Sequence, residues 1–224
     1  MTDLSVCFGT TNRFSMLKGC IESVRQAVGN LTYEIVITDA GSTDGTLEYL
    51  HAQHDVKVVE HGERRGAVAA YYDALTQAIG EYVCYLSDDL IVPGGMLAAA
   101  VDYLKKHPKC GVVSLPYRNP GCNVERIIFC NIGKKRLPCA SFGVLRRIDG
   151  QEIDWCPRVT YHYYLDTGIC LGVQTLWKTI DVLPGPYVIE HLLGDNLTRG
   201  ARKDPRYSQK RDGAAFNEYW RDKV

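Results

Sequence analysis

No stretch of the chain approaches the roughly 20 successive apolar residues that a membrane-crossing helix needs, so none is expected. Neither sign of charge is in excess. The 26 Lys and Arg balance 26 Asp and Glu, which argues against a general nucleic-acid binder. Met1-Thr2-Asp3 leads straight into a strand with no basic region ahead of it, so no signal peptide is expected. The glycine-rich GxGxxG and P-loop patterns are missing too. The loop after the first strand reads GTTNR, and a dinucleotide-dependent oxidoreductase therefore lacks its phosphate loop. No two cysteines have CxxC spacing, which leaves a structural zinc site at Cys110, Cys122, Cys130 and Cys139 without its usual pattern. The cysteine count is nine. An odd number without a secretory signal favours reduced thiols, so a cytoplasmic location is expected.

What is present is the alternation of an α/β protein. The 46% hydrophobic content supports a sizeable core. Strands are predicted at Leu4–Phe8, Tyr33–Thr38, Val56–Val59, Tyr82–Leu86 and Gly111–Leu115. Between them fall helical patterns at Met16–Val24, from Leu47, from Arg64 through Ile79, and at Met96–Leu104. Strands alternating with helices at this spacing predict a mainly parallel, Rossmann-like sheet with helices on both faces.

The strand from Tyr82 ends in Ser87-Asp88-Asp89. Carboxylates at the carboxyl end of a buried strand stand where open α/β sheets place ligands, and their oxygens suit hard divalent cations. The same pair could simply form a turn and cap a helix. Asp39 ends another strand and opens the loop AGSTDGT, where Asp39 and Asp44 could equally be turn and cap residues. Arg64 and Arg65 could be a solvated pair.

Four stretches carry a family resemblance: SVCFGTTNR, EIVITDAGSTDGT, RRGAVAAYYDALTQAIGEY and CYLSDDLIVPGGML. In this order and spacing they resemble the nucleotide-binding half of family-2 glycosyltransferases, which have the GT-A fold and use nucleotide-diphosphate sugars with a divalent metal. The resemblance covers about the first 115 residues and continues more loosely beyond. It implies that Asp39 accepts a hydrogen bond from the nucleobase, and that Thr10 and Thr11 line the base and ribose. It also implies that Arg65 contacts the donor nucleotide, with Arg64 as a substitute. Asp88 would face the ribose or sugar, and Asp89 would ligate Mn²⁺ or Mg²⁺. Two positions depart from the family pattern: Leu86 stands where many members carry another acid, and Arg64 replaces a common asparagine.

The second half is less regular. Asn119-Pro120-Gly121 reads as a turn, Ile127–Cys130 as a short strand and Gly133–Arg136 as a basic surface loop. CASFGVLRR then reads as a strand ending in arginines, DGQEIDW as irregular, and the stretch from Asp166 as a helix with Ile169, Leu171, Val173, Leu176 and Trp177 as its apolar positions. An Asp in a first helical turn can be a cap. The resemblance implies that Asp166 is the general base. Asp154, beside a Trp155 that could stack on a sugar, and Asp195, in the turn-like Gly194-Asp195-Asn196, are the alternatives. A strand at Tyr187–Glu190 runs into His191, which the resemblance places at the metal or the diphosphate. The tail residues Arg199, Arg202, Lys203, Arg206, Lys210 and Arg211 could fold over the donor, touch an anionic membrane surface or be solvated. Ala215, Phe216, Tyr219 and Trp220 suggest a short final helix.

Together these readings predict one GT-A-like domain over 1–224, with a nucleotide-sugar half to about residue 115 and an acceptor half after it. The expected activity is metal-dependent, inverting transfer from a nucleotide-diphosphate sugar, UDP-sugar being the first choice, to a glycan or other hydroxyl acceptor. Such chemistry needs one base and one metal site, unlike the paired carboxylates of glycoside hydrolysis. The alternatives are a sugar nucleotidyltransferase, for which GTTNR lacks the glycine- and basic-rich loop, and a sugar-nucleotide-binding protein without turnover.

Overall fold

The computed structural model describes residues 1–192, 206 and 208–224. In chain order the first half runs β1 (Leu4–Thr10), α1 (Phe14–Ala27), β2 (Tyr33–Asp39), α2 (Thr46–His51), β3 (Val56–Glu60) and α3 (Ala67–Thr76). It continues through β4 (Tyr82–Tyr85), β5 (Leu90–Ile91), α4 (Met96–Lys106) and β6 (Cys110–Ser114). The second half begins β7 (Tyr117–Arg118), β8 (Val124–Glu125), β9 (Ile128–Ile132), β10 (Lys135–Cys139) and β11 (Gly143–Arg146). It ends α5 (Arg147–Glu152), α6 (Leu165–Thr175), β12 (Thr179–Val182), β13 (Ile189–His191) and α7 (Gln209–Trp220).

Seven strands form the central sheet in the order β12-β6-β11-β4-β1-β2-β3. Strands β4, β1, β2 and β3 are parallel, as are β6 and β12, while β11 runs antiparallel between β4 and β6. The register carries the site. Thr10 lies opposite Asp39 of β2, and Cys7 lies opposite Tyr85 of β4. The loops after β1, β2 and β4 therefore leave from one edge, the carboxyl end of the parallel strands, where such sheets bind ligands.

Side chains of β1 alternate between two apolar layers, as the two-residue period of a strand requires. Leu4, Val6 and Phe8 pack with Leu17, Ile21 and Val24 of α1 and with Met96, Leu97 and Val101 of α4. Cys7 packs on the other face with Leu75 of α3, Ile169 and Val173 of α6, and Phe216 and Trp220 of α7. Burial on both faces explains why these strands read as near-continuous apolar runs. No helix among the described residues is long and apolar enough to cross a membrane.

A second sheet, β5-β13-β7-β8, and the hairpin β9–β10 occupy the less regular part. Several expectations change here. Lys135 and Arg136 belong to β10 rather than to a loop, and Arg136 lies 4.2 Å over the Phe129 ring. The stretch DGQEIDW is not wholly irregular, because α5 runs through Glu152. Helix α6 stops at Thr175; Trp177 adopts a φ of 59° beyond it and is exposed, so it is no helical core position. The strand expected from Tyr187 begins only at Ile189. Among the described residues no cysteine cluster forms a zinc cage. Cys130 and Cys139 lie 3.4 Å apart at sulfur, but Cys122 is exposed and all nine thiols are free.

Candidate functional site

Two loops are tied together at the sheet edge. Asn12 turns the chain after β1 with a φ of 51°. Its N–H donates to Ser42 Oγ at 2.9 Å, and its Oδ1 accepts from Thr43 N–H at 2.7 Å. Phe14 N–H donates to Asp44 Oδ2 at 3.1 Å, while Asp44 Oδ1 accepts from the Thr46 hydroxyl at 2.6 Å. The Thr11 hydroxyl turns back onto the Thr10 carbonyl at 2.8 Å.

Asp39 is buried at the end of β2. Its Oδ1 accepts from the backbone N–H groups of Gly41 and Ser42 at 3.0 and 2.9 Å. Its Oδ2 is buried with no protein hydrogen-bond partner. Buried polar atoms are nearly always paired, so this oxygen fits a donor that the protein does not supply. Turn chemistry accounts for one carboxylate oxygen and leaves the other.

Asp88 and Asp89 are both buried at the edge of β4. Thr10 Oγ1 donates to Asp88 Oδ2 at 2.8 Å. Burial pushes the Asp88 carboxyl up to about 6, with the Arg13 charge opposing and the Asp89 charge adding. Burial acts on Asp89 in the same direction. There, hydrogen bonds from His191 and Ser87 and the charges of His191 and Arg13 overcome it and hold the carboxyl well below the usual range. The Ser87 hydroxyl donates to Asp89 Oδ1 at 2.6 Å. Arg13 Nη1 lies 2.9 Å from Asp89 Oδ2 and 3.4 Å from Asp88 Oδ1. Sequence reading gave Arg13 no role. The signal was available only through topology, since β1 and β4 are neighbours and their following loops must meet.

His191 arrives through pairing of β13 with β5: His191 lies opposite Leu90, the residue after Asp89. Leu192 N–H donates to the Asp89 carbonyl at 2.9 Å. His191 Nδ1 lies 2.8 Å from Asn119 Oδ1, and Nε2 lies 3.3 Å from Asp89 Oδ1. With Nδ1 donating to the amide oxygen, Nε2 can either carry a second proton toward Asp89 or offer its lone pair to a metal. A proton on Nε2 bridges this pair, and a divalent cation can take its place. A histidine that donates its other N–H to an amide oxygen is the usual support for a metal ligand. The donor set therefore fits an Mn²⁺- or Mg²⁺-type ion with imidazole and carboxylate ligands. Among the described residues no three His, Cys, Asp or Glu side chains converge, so the remaining coordination would come from ligand oxygens or water.

Asp166 occupies the first turn of α6. Burial pushes its carboxyl up to about 6, against hydrogen bonding from Thr167, whose N–H is 2.7 Å from Oδ1. A carboxyl group near 6 suits proton abstraction near neutrality. Tyr117 lies beside His191 and within range of the Asp166 charge. The Tyr117 ring meets His191 edge-on at 6.3 Å. Its hydroxyl is raised to about 12, by burial first, then by Glu125 and, further down, by the Asp166 charge. Tyr117 too went unnoticed in the sequence.

The other expected residues have other neighbours. Arg65 Nη2 meets the His61 carbonyl at 3.4 Å, and Arg65 lines a cavity whose walls include none of Thr10, Thr11, Asp39 or Asp88. Asp154 Oδ1 accepts from the Tyr72 hydroxyl at 2.7 Å. Trp155 is buried against Gly150, so it offers no sugar-stacking platform. Asp195 lies outside the described residues, as do Arg199, Arg202 and Lys203 of the basic tail.

A curated relative, poly-β-1,6-N-acetyl-D-glucosamine synthase of Staphylococcus epidermidis, is 31% identical over 100 residues, covering 42% of this chain and 24% of that protein. The chain thus spans about a quarter of the length of that relative. Among solved structures, S. aureus TarS 1–349 in complex with UDP-GlcNAc superposes with a TM-score of 0.67 at 19% identity, covering 87% of this chain and 59% of that one. The mannosyltransferase PcManGT from Pyrobaculum calidifontis, in complex with GDP-Man and Mn²⁺, gives 0.65 at 18% identity over 98% of this chain and 71% of that one. These likenesses bear out the GT-A-like α/β fold. A family model, Glycosyl transferase family 2, matches residues 5–138, more than half of the chain, and the chain belongs to that family.

Proposed function

We propose that the protein transfers a sugar from a nucleotide-diphosphate donor to an acceptor hydroxyl, with inversion and with a divalent ion at Asp89 and His191. The observation that carries this reading is the unpartnered, buried Asp39 Oδ2 on the sheet edge that also bears the Asp89–His191 pair. In this reading residues 1–115 bind the donor and 116–224 the acceptor. Asp39 accepts the N–H of the base, which suits uracil, and Thr10 and Thr11 line the base and ribose. Asp88, braced by Thr10, faces the ribose or sugar. A divalent ion, when bound, supplies positive charge for the departing diphosphate.

Asp166 takes the proton from the acceptor hydroxyl as that oxygen attacks the anomeric carbon. The bond from the anomeric carbon to the phosphate oxygen breaks on the opposite face, and its electron pair leaves with the diphosphate. A single displacement inverts the centre. Arg13 fixes the two adjacent carboxylates in place before any donor arrives. Nine free thiols suit a reducing, cytoplasmic setting.

Titration calorimetry with UDP, dTDP, GDP and CDP, each with Mn²⁺ or EDTA, tests the site in the wild type and in Asp89→Ala. UDP is expected to bind with Mn²⁺ and to lose its binding in EDTA and in the variant. Failure of every nucleotide to bind under any condition would overturn the reading.

A further inference from the structure

A cavity of about 390 Å³ opens between the start of α3, the segment 158–161 and α7. Three arginines line it: Arg65, Arg158 and Arg211. Each is positioned from a different part of the chain. Arg158 lies 4.4 Å over the Tyr72 ring. Arg65 has Glu63 at 3.7 Å, but both side chains are more than half exposed, so that pair contributes little. Arg211 Nη2 is 3.5 Å from Asp212 Oδ1 and also donates to the Arg206 carbonyl.

Asp212 is the one carboxylate on the wall, and its other oxygen is already engaged. Oδ2 accepts the N–H groups of Tyr161, His162 and Tyr163 at 3.1, 2.8 and 3.2 Å. Three arginines against one carboxylate whose second oxygen is occupied leave the wall with an excess of positive charge. Guanidinium forks match phosphate oxygens in pairs, whereas a single carboxylate would not use three of them. The volume suits a small phosphorylated group.

The cavity is separate from the residues proposed above to hold the donor. Its walls include none of Thr10, Asp39, Asp88, Asp89 or His191. Its wall segment continues through Tyr164 into the first turn of α6, which holds Asp166. Tyr161 also accepts, through its carbonyl, the N–H of Val68 at 3.3 Å, which fixes that wall to α3. We propose that this cavity binds a phosphate group carried by the acceptor, with Arg65, Arg158 and Arg211 as its contacts. The acceptor role rests on the sugar-transfer reading above; the anion site itself does not.

The test is direct binding, by calorimetry, of inorganic phosphate and glycerol 3-phosphate to the full chain saturated with UDP and Mn²⁺, with glycerol as the uncharged control. Vesicles of phosphatidylglycerol form a parallel arm, separating a lipid headgroup from a free phosphate compound. Glycerol 3-phosphate is expected to bind, and Arg158→Gln and Arg211→Gln each to weaken it about tenfold while UDP affinity holds. Arg158→Lys, which keeps charge but not the fork, is expected to recover part of the loss. Arg211→Gln stands apart from the Tyr72 stack, so it reports even if Arg158→Gln disturbs the loop. Vesicle binding that glycerol 3-phosphate reduces would assign the site to a headgroup and support it. Absence of phosphate binding, competition of phosphate with UDP, or vesicle binding indifferent to the arginines would each overturn the proposal. If phosphate binds and no nucleotide does, the donor reading fails and the anion site stands.

Discussion

Asp166 sits where a helix dipole favours a carboxylate, yet burial raises its carboxyl to about 6. A residue kept only as a cap gains from ionisation. Here the ionised form is the disfavoured one. The sign follows from the two states: the unfolded carboxyl titrates near 3.9, so between about 4 and 6 the folded chain binds the extra proton. This residue's contribution to stability therefore improves as pH falls through 6 and is unfavourable above it. Asp166→Asn keeps an oxygen for the Thr167 N–H and removes the charge. It is expected to stabilise the fold at pH 8 by ~1–2 kcal/mol, measured by urea unfolding, and to lower turnover by about 10²–10⁴-fold. Wild-type kcat/KM is expected to fall about tenfold per pH unit below 6. A variant that is less stable and fully active would make Asp166 a cap.

At the scale of elements, the start of α3 and the segment before α6 are held together at Gly66. Its φ is +96°, and a Cβ there would stand 2.3 Å from the Tyr161 carbonyl oxygen, the same oxygen that accepts from Val68 N–H. Gly66→Ala therefore combines backbone strain with a contact that cannot relax without parting the two elements. The expected cost is at least ~2 kcal/mol, or roughly 4–8 °C in melting temperature for a chain of this size, measured calorimetrically. The elements differ in how far the sequence reveals them. Parallel strands such as Ile35–Ile37 are buried on both sides, so they show as unbroken apolar runs. The direction of β11 does not show, because Gly143–Arg146 reads the same either way and only its neighbours β4 and β6 decide it. Strands β5 and β13 are two and three residues long, and β5 exists by pairing with a strand about 100 residues further along the chain. No local pattern encodes that. Trp177 misleads for the opposite reason, continuing an apolar spacing after the helix has already ended.

At the scale of the molecule, sequence motifs pointed to Asp39, Asp88, Asp89 and His191 but left out Arg13 and Tyr117. The first four end predicted strands or lie at their turns. Arg13 and Tyr117 take their partners from elsewhere in the chain, and that information is tertiary. The same holds for the last helix, whose apolar residues were legible and whose anchor was not. Helix α7 is joined to the body by Phe216 and Trp220 in the core and by Asp212, which is buried and collects three backbone N–H groups from the segment leading to α6. Burial alone would raise the Asp212 carboxyl. The hydrogen bonds from His162, Tyr163 and Tyr161, with Arg211, reverse this and hold it below the usual value. A lowered carboxyl gives stability that is complete above the unfolded value near 3.9 and lost as pH falls through the folded one. Asp212→Ala leaves three N–H donors without their acceptor, so a loss of about 3–5 kcal/mol at pH 7 is expected, with Asp212→Asn recovering part of it through its amide oxygen. Urea unfolding of the wild type and both variants at pH 7 and pH 3 checks this. The gap between wild type and Asp212→Ala should shrink at the lower pH, because below about 3.9 the unfolded wild-type chain takes up a proton that the folded carboxylate resists. A gap of equal size at both pH values would mean that α7 is held by its apolar face and not by the carboxylate.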